Sequence, residues 1–360
     1  MQEFNCGTKI VSGAGAVAKL GDFHARRVFL VTDPYFYQNG TAQRIAKLTG
    51  ADKVEIFHHV KPDPTVELAA EGTARLKEFG ADLIVALGGG SAMDCAKAIG
   101  WFGGGEIRLV AIPTTSGSGS EVTDFSILTH DQVKHPLVDK KLQPYMAILD
   151  SELLKELPAT LIADSGFDVL AHALEAVAAT AAGAISDALA KDAFRRVYHL
   201  LPVSFGGDTR VRLAIHEAAT MAGIAFSQAG LGLCHALSHS LGGVFHVPHG
   251  RLNAIVLPAV IGYNGETSGK KYADLARAAG IEGSADTIAL RNLRNGLIRL
   301  RRDLKLPETL AQAGVSHREL KAATEEIVRA TLEDPCCRTN PVKVDGAVVR
   351  RILEEVAGRG

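Results

Sequence analysis

Apolar positions in the first 150 residues come in short runs, each followed by an amphipathic stretch. Residues 28–32 (VFLVT) form the first run and end at Asp33, and residues 54–60 form a second. Asp63-Pro64-Thr65 then predicts a helix start, with a short polar cap and proline in the first turn; the helix reads on to Phe79 and stops at Gly80. Residues 83–87 (LIVAL) read as a fully buried strand, followed by Gly88-Gly89-Gly90-Ser91 and a helix through Ile99. Residues 109–112 and 147–149 are further strands. This alternation predicts a parallel, doubly wound sheet.

After about Pro158 the period changes from that of strands to that of helices. Residues 164–180, 185–201 and 210–226 are alanine-rich and amphipathic, and similar segments follow. The pattern predicts an α/β domain over residues 1–153 and an all-helical domain over residues 154–360, with no repeat or low-complexity tract.

Composition narrows the partners. Lys and Arg number 39 against 40 Asp and Glu, which leaves no basic field for a nucleic acid. No apolar run approaches the roughly 20 residues needed to span a bilayer, and residues 1–9 carry no apolar signal core. Five cysteines, Cys6, Cys95, Cys234, Cys336 and Cys337, form no CxxC pairs, which argues against a disulfide framework and a Cys-based zinc site. A cytoplasmic chain without a membrane partner is expected.

Two loops at neighbouring strand ends suit a nucleotide. Glycines at 88–90 allow close approach to a phosphate at a helix N-terminus, although the segment is not the GxGxxG fingerprint. Residues 112–121 (IPTTSGSGSE) concentrate hydroxyls and glycines. Asp33, at the end of the first strong strand, is placed to bond a ribose diol and to repel a 2′-phosphate, which favours NAD over NADP.

Histidine carries the rest. Asp168 and His172 are four apart on a predicted helix and share a face. His235, His239, His246 and His249 fall within 15 residues, in GLCHALSHSLGGVFHVPHG. His235 and His239 are again four apart, and His249, between Pro248 and Gly250, reads as a turn residue. One carboxylate with three imidazoles suits Fe²⁺ or Zn²⁺. Spacing alone leaves open which three histidines are ligands.

GGGSAMDCAKAI, IPTTSGSGSEVT, DVLAHALEA and HALSHSLGGVFHVPHG together resemble the iron-containing (group III) alcohol dehydrogenases over nearly the whole chain. AFSQAGLGLCHALSHSLGG and CRTNP narrow the resemblance to the 1-propanol dehydrogenases of bacterial microcompartments. The resemblance implies the dehydroquinate synthase-like fold, with NAD in the α/β domain and one divalent metal, iron before zinc, in the helical one.

By motif it implies Asp168, His172, His235 and His249 as metal ligands, with His239 a non-ligand catalytic histidine near the nicotinamide. Cofactor contacts carried over are Asp33, Gly89, Gly90, Ser91, Asp94, Thr114, Thr115, Ser118, Thr123 and Lys134, with Lys97 completing the Asp94 motif. Asp63 is carried over as well, as an adenosine-side cofactor contact, at a place where relatives often have asparagine. Phe125 and Phe226 match substrate-pocket positions, and Phe125 replaces a polar residue of some relatives, implying a less polar pocket.

The implied activity is hydride transfer between a short primary alcohol, of the propanal/1-propanol or acetaldehyde/ethanol type, and NAD. A homo-oligomer, and shell or co-encapsulated partners in a microcompartment, are implied with it. Rival readings are a polyol or lactaldehyde oxidoreductase, a dehydroquinate-synthase-like lyase, and a non-catalytic assembly component. The lyase should need several basic residues beside the histidines, and the intact motifs argue against the last.

Overall fold

The short apolar runs assemble into one six-stranded parallel sheet. In the computed structural model, which describes residues 4–130 and 133–358, the first part of the chain runs β1 (Lys9–Ser12), β2 (Arg27–Thr32), α1 (Pro34–Gln38), α2 (Thr41–Leu48), β3 (Lys53–Phe57), α3 (Val66–Phe79), β4 (Leu83–Gly88), α4 (Gly90–Phe102), β5 (Arg108–Pro113), β6 (Phe125–His130), β7 (Val133–Val138) and β8 (Met146–Leu149). The sheet order is β1-β8-β5-β4-β2-β3. Val28, Leu30, Val85, Leu87, Val110 and Ile112 pack into a core on one face, with Ala42 and Ile45 of α2. Phe29, Val31, Ile84, Ala86 and Ala111 pack on the other, with Leu76 of α3 and Met93 and Ile99 of α4. Both faces are covered, which is why these strands read as continuous apolar runs.

Several details differ from the sequence reading. The cap of α3 is Thr65, whose hydroxyl accepts from Leu68 N at 3.1 Å. Asp63 and Pro64 precede it, and Asp63 takes a left-handed φ of 56°. Helix α4 continues past Ile99 to Phe102, because Gly100 lets it lie against Ile84 of β4. Strands β6 and β7 form an antiparallel hairpin outside the parallel sheet.

From Pro158 the chain is a second compact unit, distinct from residues 5–157. It contains α5 (Ala159–Ala178), α6 (Ala184–Phe205), α7 (Arg212–Ala229), α8 (Leu233–Phe245), α9 (His249–Ala278), α10 (Asp286–Asp303), α11 (His317–Glu333) and α12 (Gly346–Ala357). Helix α5 is buried along most of its length. Among the described residues, no helix is long and apolar enough to cross a membrane.

Helix α9 carries Pro258 in its interior. A proline there has no N–H for the carbonyl four residues earlier, that of Ala254. The buried Arg301 of α10 fills the gap, donating from Nη1 to Ala254 O at 3.1 Å and to Ile255 O at 3.5 Å. Arg301→Met is therefore expected to lower the unfolding free energy by about 1–3 kcal/mol, the cost of an orphaned buried acceptor. Denaturant unfolding measures this, and an unmoved midpoint would show that the carbonyl needs no donor.

Candidate functional site

The nucleotide-type loops stand where the order of strands reverses. β2 and β4 are neighbours, but the chain leaves β2 for β3 on one side and β4 for β5 on the other. Carboxyl ends at such a point leave a crevice for a ligand. Asp33, directly after β2, caps α1 by accepting from Phe36 N at 3.1 Å. Its other carboxylate oxygen lies 3.5 Å from where a Cβ on Gly88 would stand.

Gly88 has a φ of 150° and leads into α4, whose N-terminus has no side-chain cap. A Cβ on Gly89 would come within 3.3 Å of Thr115 Oγ1, and one on Gly90 within 3.1 Å of Ser118 Oγ. Thr114 N donates to Gly88 O at 2.9 Å. Bare backbone lets the hydroxyl-rich loop lie against the glycine loop, and Ser91 follows in the first turn of α4. The result is a cradle of backbone N–H groups and hydroxyls at a helix N-terminus, the surface an anionic pyrophosphate fits.

Asp94 and Lys97 turn from that cradle toward the hairpin. The half-buried Asp94 carboxylate accepts from Ser120 Oγ (2.7 Å) and Ile127 N (3.3 Å), and desolvation pushes it up. Lys97 Nζ donates to Thr123 O, Thr123 Oγ1 and Phe125 O at 2.8–2.9 Å. Lys134 and Asp63 form an ion pair at 2.7 Å. Asp63 also lines a cavity of about 700 Å³ with Pro34, Tyr37 and His58.

Burial lowers the Lys97 ammonium to about 8, against the pull of Asp94 and Glu121. Below pH 8 the lysine is charged whether folded or unfolded. Between about 8 and its unfolded value of 10.5 the folded state sheds the proton first, so the unfolded state binds more protons and stability rises with pH. Wild type should gain on Lys97→Met by up to about 3 kcal/mol across that window. Chemical unfolding of both proteins at pH 7.5 and 10 tests this, and a constant difference would refute it.

The metal-type residues gather in the helical unit. Asp168, His172 and Glu175 share the inner face of α5. Asp168 Oδ1 lies 3.7 Å from His172 Nε2, 3.5 Å from His235 Nε2 and 3.4 Å from His249 Nε2. Donor atoms of Asp168, His235 and His249 all fall within 4.8 Å of one another. The His172 ring stacks on His235 at 4.5 Å and on Phe226 at 4.3 Å. Phe226 is thus packed directly against the donor cluster, while Phe125 lies on β6 in the other unit.

Burial opposes charge on Asp168, but the surrounding imidazoles hold its carboxyl well below the usual range. Burial also opposes charge on His235, yet hydrogen-bonded Asp168 and Glu175 raise it to about 9. Buried carboxylates this close to three imidazoles demand positive charge, which a divalent cation satisfies without protonating the donors. The donor set itself, one carboxylate with neutral imidazole nitrogens, is one that iron or zinc accepts.

His249 is not in a turn. It is the first residue of α9, with Pro248 as the cap. Gly250 reads as a turn signal in the sequence because it follows a proline so closely. Its purpose is contact: a Cβ there would stand 1.9 Å from Asp164 O, so α9 starts backbone to backbone against α5. That approach brings His249 over Asp168. His239, one turn beyond His235 on α8, instead bonds Asp334 Oδ2 through Nδ1 at 2.8 Å, with its ring stacked on His249 at 5.1 Å.

Three further residues organise the cluster and were not singled out in the sequence. Glu175 accepts from Gly232 N (3.0 Å), Cys234 N (2.6 Å), His235 N (3.3 Å) and His235 Nδ1 (2.6 Å). One buried carboxylate thus caps α8 and orients His235 through the nitrogen that faces away from Asp168. Asn253 Nδ2 donates to Asp168 Oδ1 at 2.8 Å and lies 3.2 Å from His249 Nε2. Asp334 is the third. Glu175 stands seven residues after Asp168 and Asn253 four after His249, so helical spacing held a signal for both; Asp334 had none. Asn340 of the CRTNP segment accepts from Leu233 N at 3.1 Å, anchoring the same end of α8.

Comparison with known proteins adds the family. Residues 7–151 match the model for "Iron-containing alcohol dehydrogenase", and residues 162–357 match "Fe-containing alcohol dehydrogenase family, C-terminal". The chain is 38% identical to 1-propanol dehydrogenase PduQ of Salmonella typhimurium, over 99% of this chain and 100% of that protein. It is 34% identical to an NADPH-dependent butanol dehydrogenase of Clostridium saccharobutylicum, over 98% and 97%. An iron-containing alcohol dehydrogenase from Thermococcus thioreducens superposes with a TM-score of 0.90 at 33% identity, covering 98% of this chain and 99% of that one.

Proposed function

The chain belongs to the iron-containing alcohol dehydrogenase family, and on that premise we propose that it interconverts a short, weakly polar primary alcohol and its aldehyde, using NAD in preference to NADP. The observation that carries the proposal is the convergence of three imidazoles on one oxygen of the buried Asp168. The chemistry supplied by the bound groups is polarisation of the substrate oxygen by a divalent ion, iron before zinc, and acceptance of a hydride by nicotinamide.

The protein's own share is holding and proton handling. Asp168, His172, His235 and His249 are the proposed ligands. Glu175 accepts a hydrogen bond from the Nδ1–H of His235 and so leaves Nε2 as the donor nitrogen. Asp334 does the same for His239, freeing its Nε2 to pass the alcohol proton to water. Phe226, 4% exposed against His172, excludes water and leaves an extra substrate hydroxyl unpaired. Phe125 is proposed as a substrate-contact residue from its motif position alone.

In the α/β unit, Gly89, Gly90, Ser91, Thr114, Thr115 and Ser118 are proposed to hold the pyrophosphate, with Asp33 toward the adenosine ribose. Asp33→Gly should narrow the preference for NADH over NADPH by about tenfold or more, since one repelled phosphate is worth about 1–2 kcal/mol at a partly solvated site. Wild-type enzyme that used NADPH as well as NADH would remove Asp33 from this role.

The test of the whole reading is a panel of C2–C4 aldehydes with NADH, on enzyme reconstituted separately with Fe²⁺ and Zn²⁺. Propanal or acetaldehyde should give the highest kcat/KM. A markedly higher value for lactaldehyde, or for glycerol in the reverse direction, would overturn the substrate class. Cytoplasmic residence, with packaging in a microcompartment beside shell and partner enzymes, belongs to the same proposal; sedimentation of the native enzyme with or without shell protein decides it.

A further inference from the structure

A second group of metal-type donors lies next to the first. A ring nitrogen of His239, a carboxylate oxygen of Asp334 and the thiol sulfur of Cys336 all fall within 4.8 Å of one another. The group is built, not fortuitous in its geometry. Asp334 ends α11 and caps the 3₁₀ turn Pro335–Thr339, accepting from Cys336 N at 2.8 Å, so carboxylate and thiol are fixed on one short turn. The same carboxylate holds His239 at 2.8 Å. The side chains of His239 and Asp334 are 24% and 14% exposed, so an ion has a route in from water. The histidine lies 95 positions from Asp334 in sequence, and for that reason the cysteine spacing gave no hint of a zinc-type set.

We propose that His239, Asp334 and Cys336 form a second, inhibitory site for a borderline-soft divalent ion, Zn²⁺ above all. Imidazole, carboxylate and thiolate are zinc's ligand types, and three protein ligands leave a fourth position for water. The sulfur separates this site from the neighbouring cluster of Asp168, His172, His235 and His249, which has only nitrogen and oxygen donors and so suits iron better. Binding breaks the His239–Asp334 hydrogen bond and releases the Cys336 thiol proton to solvent. An ion here takes His239 from its proton-handling role without emptying the first site. That consequence rests on the function proposed above; the site itself does not.

The experiment uses full-length enzyme already holding one equivalent of Fe²⁺ at the first cluster, titrated anaerobically with Co²⁺ and followed by absorbance. Wild type should bind a second equivalent and show a thiolate-to-cobalt charge-transfer band. Cys336→Ser should lose the band, while Cys337→Ser and Cys234→Ser keep it. In parallel, Fe²⁺-loaded enzyme is titrated with Zn²⁺ during aldehyde reduction. Wild type should be inhibited, and Cys336→Ser should need at least about tenfold more zinc, since even an outer partner of a metal site is worth that much. No band in wild type, or a band that survives Cys336→Ser, overturns the site, and the wild-type arm decides even if the variant fails to fold. A band with undiminished turnover leaves the site standing and instead overturns the role given to His239.

Discussion

His235→Ala is expected to purify without its metal and without measurable turnover, while His239→Ala, made beside it, keeps the metal and loses only rate. His235 is buried, 1% exposed, with Nε2 facing Asp168 and Nδ1 tied to Glu175. Its removal takes away a donor and a screening charge between two buried carboxylates, so both metal affinity and folding suffer. His239 bonds Asp334 instead. Its loss should lower kcat by about 10²- to 10⁴-fold, the usual share of a positioned acid–base group, at little change in metal content. Metal analysis and kinetics on the two variants decide the matter. An empty site in His239→Ala with a full one in His235→Ala would reverse the assignment.

The second large effect is expected at Glu175. Glu175→Ala strips the acceptor from Gly232 N, Cys234 N and His235 N at the buried start of α8. It also leaves the His235 Nδ1 proton without a partner. Breaking a buried charged network of this kind costs about 3–5 kcal/mol, enough to unfold a marginal domain. Glu175→Gln keeps the shape and one acceptor oxygen but presents an amide N–H to donors. It should fold, with metal affinity about 10- to 100-fold weaker. Chelator competition on Glu175→Gln and thermal unfolding of Glu175→Ala measure the two effects. Wild-type affinity in the glutamine variant would show that the carboxylate caps the helix and does nothing for His235.

Much of the scaffold was legible because its signals are local. LIVAL and VFLVT are apolar without interruption, and only a strand covered on both faces tolerates that. The histidines were legible as a class because so many imidazoles in an apolar segment have no packing explanation. What stayed hidden depends on contacts distant in sequence. The four residues of β1 are mostly exposed, so no pattern marks them, and β7 contains Pro136, which reads as a breaker. His249 reads as a turn residue because Pro-His-Gly has the same letters in a turn and at a helix start. The choice is made by Asp164, 86 positions before Gly250, whose carbonyl leaves no room for a Cβ. Glu175 reads as one more polar letter on an amphipathic helix until α8 arrives with its bare N-terminus.

The proline in α9 bears on how far the metal-binding half could be cut down or transplanted. All four proposed ligands precede residue 250, so the stretch from α5 to the first turn of α9 invites use as a minimal cassette. Yet the guanidinium that replaces the missing amide of Pro258 comes from α10, and the amide group that holds the start of α8 comes from Asn340. A fragment ending after α9, or the same helices grafted onto a foreign bundle, would carry every ligand and lack the hydrogen-bond partners, one donor and one acceptor, that keep two of its helices in register. The smallest portable unit therefore runs on past the last ligand by some ninety residues, and deletion from the C-terminus should abolish metal retention long before it reaches a histidine that binds.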